Sequence, residues 1–304
     1  MNPSYISQKT SLISILRWQF SKYFAKSETT ATSLKVQSHQ TLPNGDCALW
    51  LGHASVWLRC ANVSMIIDPV LGNIPMYRRH TTLPIPPEKL YADMILLTHA
   101  HYDHFDKPSV LRLLKNNPNT VIVAPLGFWR YLKGHIGREK CVELKWWESL
   151  TIGEISITLT PSKHWSKRTP FDTNKALWGG YVIQERSHCI YHSGDTARGE
   201  HFKEIGEKFE IDEAFLPIGA YRPESIMKHN HTNPPEALEA CSQLRAKTLI
   251  PIHYGTFRLS DEPLDEPIEW FTSLTKTHAY PFETKVLEIG EVYRFSTTST
   301  FKST

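Results

Sequence analysis

Residues 98–106 read Thr-His-Ala-His-Tyr-Asp-His-Phe-Asp, which places His99, His101, Asp103 and His104 within six positions. Imidazole and carboxylate are donors that divalent transition metals accept, and no thiolate stands among them. A single four-coordinate ion has no use for all four side chains once ligands from elsewhere are added. Two neighbouring ions would use them all. The run Met94–Thr98 ahead of them is apolar and of strand length, so the donors sit where a buried strand opens into a loop. Solvated histidines in a polar loop are the competing account, and the density of donors directly after an apolar strand argues against it.

Further ligands for such a pair should also follow strands. His164 follows Ile155–Thr160, Asp195 follows Cys189–His192 and His253 follows Thr248–Ile252. Singly, each is an ordinary strand-end residue. Beside the anchor motif they complete a thiolate-free set that suits a hydrolytic zinc pair better than a structural zinc.

The elements that must position these residues are short. Ala48–Leu51, Val56–Cys60, Ser64–Ile67, Thr120–Ala124, Ala176–Gln184, Ala214–Pro217 and Lys285–Ile289 are the remaining strand-like runs. Pro108–Lys115 and Pro234–Ala246 carry helical patterns, the second with Asn233 as N-cap, Pro234 at the first helical position and Glu236 completing a capping box. Many short strands with few helices predict an α/β sandwich, as one hydrolase-sized domain over residues 46–304. Residues 1–45 read as a separate N-terminal segment. Within it Leu12, Ile15, Leu16, Phe20, Tyr23 and Phe24 fall near a helical period, with Lys9, Arg17, Lys22 and Lys26 among them. This is the pattern of a basic amphipathic helix, suited to packing on its own domain or to peripheral contact with a membrane through residues 9–26.

Composition narrows the class. A formal net charge of +3, with no Lys/Arg-rich arm, argues against nucleic acid as a partner. Five cysteines without a CxxC argue against a disulfide framework and for a cytoplasmic protein with reduced thiols. No apolar run reaches the ~18 residues of a spanning helix.

The ligand order resembles that of the metallo-β-lactamase fold, and other motifs narrow the resemblance. Trp50-Leu51-Gly52-His53-Ala54-Ser55, Pro161-Ser162-Lys163-His164-Trp165-Ser166-Lys167-Arg168-Thr169, Asn174-Lys175-Ala176-Leu177-Trp178-Gly179, Ser193-Gly194-Asp195-Thr196, Pro217-Ile218-Gly219-Ala220-Tyr221 and Ile252-His253-Tyr254-Gly255-Thr256-Phe257 resemble the N-acyl-phosphatidylethanolamine-hydrolysing phospholipase D family. The resemblance runs from about Trp50 to Phe257. It implies an αββα four-layer sandwich holding two zinc ions per chain. His99, His101 and His164 would bind one ion and Asp103, His104 and His253 the other, with Asp195 bridging. Asp68 is either an Asp-Pro turn residue or a carboxylate that orients a ligand imidazole, and His53 is either a buried structural histidine or a neighbour of the site.

Asp103, besides its place as a ligand, and His231 are the expected catalytic residues. His231 would orient substrate or donate a proton; as a plain loop histidine it would only precede a helix cap. The implied reaction is attack of a metal-activated water on phosphorus of a phospholipid, releasing an N-acylethanolamine and phosphatidic acid. A lactonase, or another phosphodiesterase of the same fold, is the alternative. A non-catalytic scaffold is disfavoured by the complete ligand set. The chain departs from the family at Arg222-Pro223-Glu224-Ser225, where Glu-Pro-Arg-Trp is usual, and at Asn233-Pro234-Pro235-Glu236, where Asp-Pro-Glu-Glu is usual. Both departures lie in loops that would bear on the substrate.

Overall fold

The computed structural model describes residues 3–7, 17–18, 32–186 and 188–295. Among these, β1 (Cys47–Gly52), β2 (Ser55–Cys60), β3 (Val63–Ile67), β4 (Met94–Leu96), β5 (Val121–Pro125), β6 (Cys141–Leu144) and β14 (Val292–Arg294) form a sheet in the order β14-β1-β2-β3-β4-β5-β6. A second sheet has the order β13-β12-β11-β10-β9-β8-β7, built from β7 (Ser149–Ile152), β8 (Ile155–Thr160), β9 (Gly180–Glu185), β10 (His188–His192), β11 (Glu213–Pro217), β12 (Thr248–Ile252) and β13 (Glu283–Thr284). Each sheet starts as an antiparallel meander and turns parallel, at β3 in the first and β10 in the second. Parallel neighbours send their carboxyl ends the same way, and in open α/β sheets ligands collect in the crevice there.

The period-two alternation of the strands decides the layering. Trp50, Val56, Leu58, Met65, Ile67 and Leu96 of the first sheet share one core with Ile157, Leu159, Tyr181, Ile183, Ile190 and Phe215 of the second. The intervening residues Leu49, Leu51, Trp57, Ile66 and Ile95 face the other way, onto Val110 and Leu113 of α1 (Lys107–Asn116). On the far side of the second sheet lie α3 (His201–Lys208), α5 (Pro234–Leu244) and α6 (Glu266–Thr277), through Phe202, Ile205, Leu238, Cys241, Leu244 and Phe271. Two single-turn helices, α2 (Trp129–Leu132) and α4 (Glu224–Met227), follow β5 and β11. The result is the expected αββα sandwich. Gly206 lets α3 approach the end of α5, since a Cβ there would lie 2.6 Å from the Leu244 carbonyl oxygen.

Two expected strands differ. In the run Ala176–Gln184 only the part from Gly180 joins a sheet. Its start instead bonds to loops of the first sheet, Leu177 N–H to the Leu126 carbonyl and Gly179 N–H to the Thr98 carbonyl. Residues 285–289 form no strand of either sheet, because Ile289 pairs with Lys35 and Gln37 of the N-terminal segment. Most of the proposed amphipathic helix (Lys9, Leu12, Ile15, Leu16, Phe20, Lys22, Tyr23, Phe24 and Lys26) lies outside the described residues. Trp18, which is described, donates from its indole to Asp261 at 2.7 Å. No helix among the described residues is long and apolar enough to cross a membrane.

His201 offers a test of the packing on α3. It is fully buried with Nε2 2.9 Å from the Thr196 hydroxyl. Burial, aided by Lys163, lowers its pKa to about 3. The folded state therefore refuses a proton that the unfolded chain accepts below a pKa of about 6.5, so stability falls as pH falls through that value. In urea unfolding of wild type and His201→Asn, the wild type should lose about 1.4 kcal/mol per pH unit relative to the variant between about pH 6 and about pH 4. A constant difference across that range would mean that His201 titrates like a free imidazole.

Candidate metal centre

Strand ends from both sheets meet in one buried cluster. β1 leads to His53, β3 to Asp68, β4 to His99, His101, Asp103 and His104, β8 to His164, β10 to Asp195, and β12 to His253. His53, Asp68 and His253 adopt left-handed backbone conformations, with φ of 54°, 44° and 64°. Such conformations cost non-glycine residues on the order of 1–3 kcal/mol each and persist only where the surroundings hold them. Those surroundings are visible: His253 N–H donates to the His53 carbonyl at 3.0 Å, and His53 N–H donates to the Thr256 hydroxyl at 2.8 Å.

Seven expected ligands come together in two groups that share a carboxylate. His99 Nε2 and His164 Nε2 lie 2.9 and 3.2 Å from His101 Nδ1. Asp195 Oδ2 is 3.8 Å from His99 Nε2 and 3.9 Å from His164 Nε2. Its other oxygen, Oδ1, is 3.1 Å from both His104 Nε2 and His253 Nε2. Asp103 Oδ2 approaches the same two nitrogens at 3.6 and 3.5 Å. Ligands about 2.1 Å from a tetrahedral zinc stand roughly 3.4 Å apart, which is the scale of these spacings.

The outer nitrogens of three ligands are engaged, and this sets their tautomers. His104 Nδ1 donates to Asp68 Oδ2 at 2.7 Å, His164 Nδ1 to the Asn230 carbonyl at 2.9 Å, and His99 Nδ1 to the Thr98 hydroxyl at 2.9 Å. The Thr98 hydroxyl and amide in turn donate to Asp68 at 2.6 and 2.8 Å. Each of these imidazoles therefore turns the lone pair of Nε2 inward. Lone pairs facing one another across about 3 Å repel unless a cation lies between them. His104 Nε2, His253 Nε2 and Asp195 Oδ1 are buried with no hydrogen-bond partner, as atoms meant for a metal would be.

The charges agree. Burial alone would raise Asp195 and Asp103, but the imidazoles around them, His104 foremost, hold both well below the usual carboxylate range. Burial would lower His253, yet Asp195 and Asp103 raise it to about 9, and the same carboxylates raise His104. Two buried carboxylates thus call for positive charge, which a metal supplies while displacing those protons. His99 and His164 are instead held neutral by burial, as donors to a cation must be. This donor set fits a pair of divalent ions.

His231 lies at the edge of the cluster. Its Nδ1 is 3.6 Å from Asp195 Oδ2, and its ring centroid is 5.4 Å from that of His164 and 5.5 Å from that of His253. Burial lowers it to about 4, so it is a neutral imidazole.

His53, expected as either a structural histidine or a neighbour of the site, bonds Asp103 Oδ2 through Nε2 at 3.1 Å, which places it within the site. Other supports escape sequence reasoning. Arg168 donates to the Phe105 carbonyl at 2.6 Å and the Ala100 carbonyl at 3.2 Å, with its guanidinium 4.1 Å from the Tyr102 ring. The His-Trp-Ser-Lys-Arg-Thr motif thus carries the clamp on the loop that holds four of the ligand-type residues. Asn230 enters only through a backbone carbonyl, which no motif marks.

Fold and site together define a metal-dependent hydrolase of the metallo-β-lactamase fold. The family model described as "Beta-lactamase superfamily domain" matches residues 64–254, and the chain belongs to that superfamily. The chain is 33% identical over 275 residues to N-acyl-phosphatidylethanolamine-hydrolyzing phospholipase D 1 of Caenorhabditis elegans, covering 83% of this chain and 77% of the worm protein. It is 31% identical over 260 residues to the mitochondrial protein of that name from Saccharomyces cerevisiae, covering 81% of this chain but only 55% of the yeast protein. Among solved structures, a metallo hydrolase from Ignicoccus hospitalis matches with a TM-score of 0.63 at 24% identity, over 83% of this chain and 98% of that one, and so shares the fold.

Proposed function

We propose that the chain is a two-zinc phosphodiesterase of the phospholipase D type, hydrolysing N-acyl-phosphatidylethanolamine to an N-acylethanolamine and phosphatidic acid. The observation that carries the two-metal part is Asp195, whose two oxygens address different nitrogen groups, Oδ1 at 3.1 Å and Oδ2 at 3.8–3.9 Å. The substrate class is supported by the activity named in the worm and yeast relatives.

In this reading His99, His101 and His164 hold one ion, Asp103, His104 and His253 the other, and Asp195 serves both. Such a pair supplies a clamp for phosphoryl oxygens and water activation at neutral pH. The remaining roles fall to the chain itself. His53 fixes Asp103, Asp68 fixes His104, and Thr98 fixes His99, so that these three ligands need not reorganise as charge develops on the phosphoryl group. Neutral His231 presents an N–H to an oxygen of the substrate, orienting it beside Asp195. The water oxygen bonds to phosphorus, the bond from phosphorus to the ethanolamine oxygen breaks, and that oxygen leaves with a proton. The substrate is a phospholipid met at a membrane surface by peripheral contact.

Hydrolysis in oxygen-18 water tests the bond that breaks. The label should appear in the phosphate of phosphatidic acid. Label in a carboxylate, from a lactone or an acyl ester, would replace this reading with a lactonase or acyl hydrolase on the same centre.

A further inference from the structure

The chain's first residues reach the metal centre. Ser7 N–H donates to the His164 carbonyl at 3.1 Å and His164 N–H donates to the Tyr5 carbonyl at 3.3 Å, which makes Ile6 a parallel bridge partner of His164. The Ser7 hydroxyl lies 2.7 Å from the His229 carbonyl and 2.5 Å from Asn230 Oδ1. Asn230 is the residue whose carbonyl accepts from His164 Nδ1. The segment is itself held down. Tyr5 is buried, its ring stands edge-on to Trp146 with centroids 5.2 Å apart, and its hydroxyl bonds Glu204.

We propose that residues 5–7 are a positioning strap for the His164 half of the centre. The strap grips His164 twice, once along its backbone and once through the residue that sets its tautomer. Without it, of this set of bonds only that from His164 Nδ1 to the Asn230 carbonyl ties the loop around Pro161–His164 to the turn at His229–Asn230. Nε2 of His164 then loses its aim at His101 Nδ1, now 3.2 Å away. The other half of the centre takes its support elsewhere, from Asp68, His53 and Thr256. Loss of the strap should therefore be felt by one half only. The N-terminal segment has work at the site whatever it does at a membrane, and a truncation that removes residues 5–7 should slow soluble and bilayer substrates alike.

The inference rests on the two-metal reading, and metal titration separates the two. Ser7→Pro removes the backbone donor and the hydroxyl together while Tyr5 keeps its anchor. Ser7→Thr keeps both donors. With cobalt added to chelator-stripped protein, wild type and Ser7→Thr should take up two equivalents. Ser7→Pro should bind one of them about 10–100-fold more weakly, the usual effect of losing a partner behind a ligand, with the other unchanged. If Ser7→Pro does not fold, Ser7→Ala makes the same test with an effect of about fivefold, the net worth of one hydrogen bond. Two equivalents at wild-type affinity in the variant, or two weakened equally, overturn the strap. A wild type that takes up only one equivalent overturns the two-metal reading instead. The strap then stands if Ser7→Pro weakens that equivalent and falls if it does not.

Discussion

Asp195→Ala should empty both halves of the centre and lower turnover at least about 10³-fold, more than the 10–100-fold expected for a residue that only supports a ligand. Among the described residues Asp195 is the side chain with an oxygen on each side: Oδ1 at 3.1 Å from His104 and His253, and Oδ2 at 3.8 and 3.9 Å from His99 and His164. The buried imidazoles keep it fully ionised at neutral pH. Removing it takes a bridge and a negative charge from two cations at once, in a site where charges are poorly screened. Elemental analysis of purified wild type should give two metal equivalents, mainly zinc, and that of Asp195→Ala should fall well below one. His164→Ala and His253→Ala serve as the comparison, since each should lose one equivalent and keep the other. A variant at residue 195 that retains a tightly held metal would mean that Asp195 faces a single ion.

The centre was legible from sequence to the extent that its chemistry resides in side-chain type. Only His, Asp, Glu and Cys hold such ions, and the strands that deliver them end where apolar runs stop. β8 and β12 were read with their observed bounds, Ile155–Thr160 and Thr248–Ile252. The capping box of α5 was equally open, because it depends on three neighbouring residues. Asn233 Oδ1 accepts from Glu236 N–H at 3.0 Å, and Glu236 accepts from Asn233 N–H at 3.0 Å. Asp68 had two readings, a turn residue or a support for an imidazole, and both describe it: it sits at φ 44° at the end of β3 and accepts from His104.

What stayed hidden depends on partners far along the chain. The edge strand β7 has one apolar residue in each pair and is largely exposed, so its pattern is faint. Helices α3 and α6 mix charged and apolar residues over only 8 and 12 positions. Residues 285–289 look like a strand, yet Ile289 pairs with Lys35 and Gln37, some 250 residues away and outside either sheet. In the site, the Asn230 carbonyl and the Ser7 amide are groups that nearly every residue owns, so nothing in their type announces them.

Asp68→Asn should cost the centre one ion while leaving the fold nearly intact. Asparagine matches aspartate in size and tolerates the left-handed backbone at this position, so strain changes little. The hydrogen bonds do change. Asp68 is acceptor only: Oδ1 takes the Thr98 amide at 2.8 Å, and Oδ2 takes the Thr98 hydroxyl at 2.6 Å and His104 Nδ1 at 2.7 Å. If the asparagine oxygen keeps the Thr98 amide, its NH₂ faces His104 Nδ1. That nitrogen must then accept, and its proton moves to Nε2, where it points at Asp195 and blocks the lone pair that a metal needs. If the amide flips, NH₂ faces the buried Thr98 N–H, donor against donor, at a cost of about 1–3 kcal/mol. The flipped form spares His104 only at that cost, whereas in the first form the proton on Nε2 finds an acceptor in Asp195, so the first form prevails in the metal-free protein and His104 is the ligand that suffers. The equivalent held by Asp103, His104 and His253 should bind about 10–100-fold more weakly, with the one at His99, His101 and His164, reached only through the Thr98 hydroxyl, changed less and the metal-free protein melting close to wild type. Chelator competition on the variant measures this, and it should mirror Ser7→Pro, which spares the opposite equivalent. Unchanged affinity for both ions would show that the Asp68–His104 bond does not set the tautomer of His104.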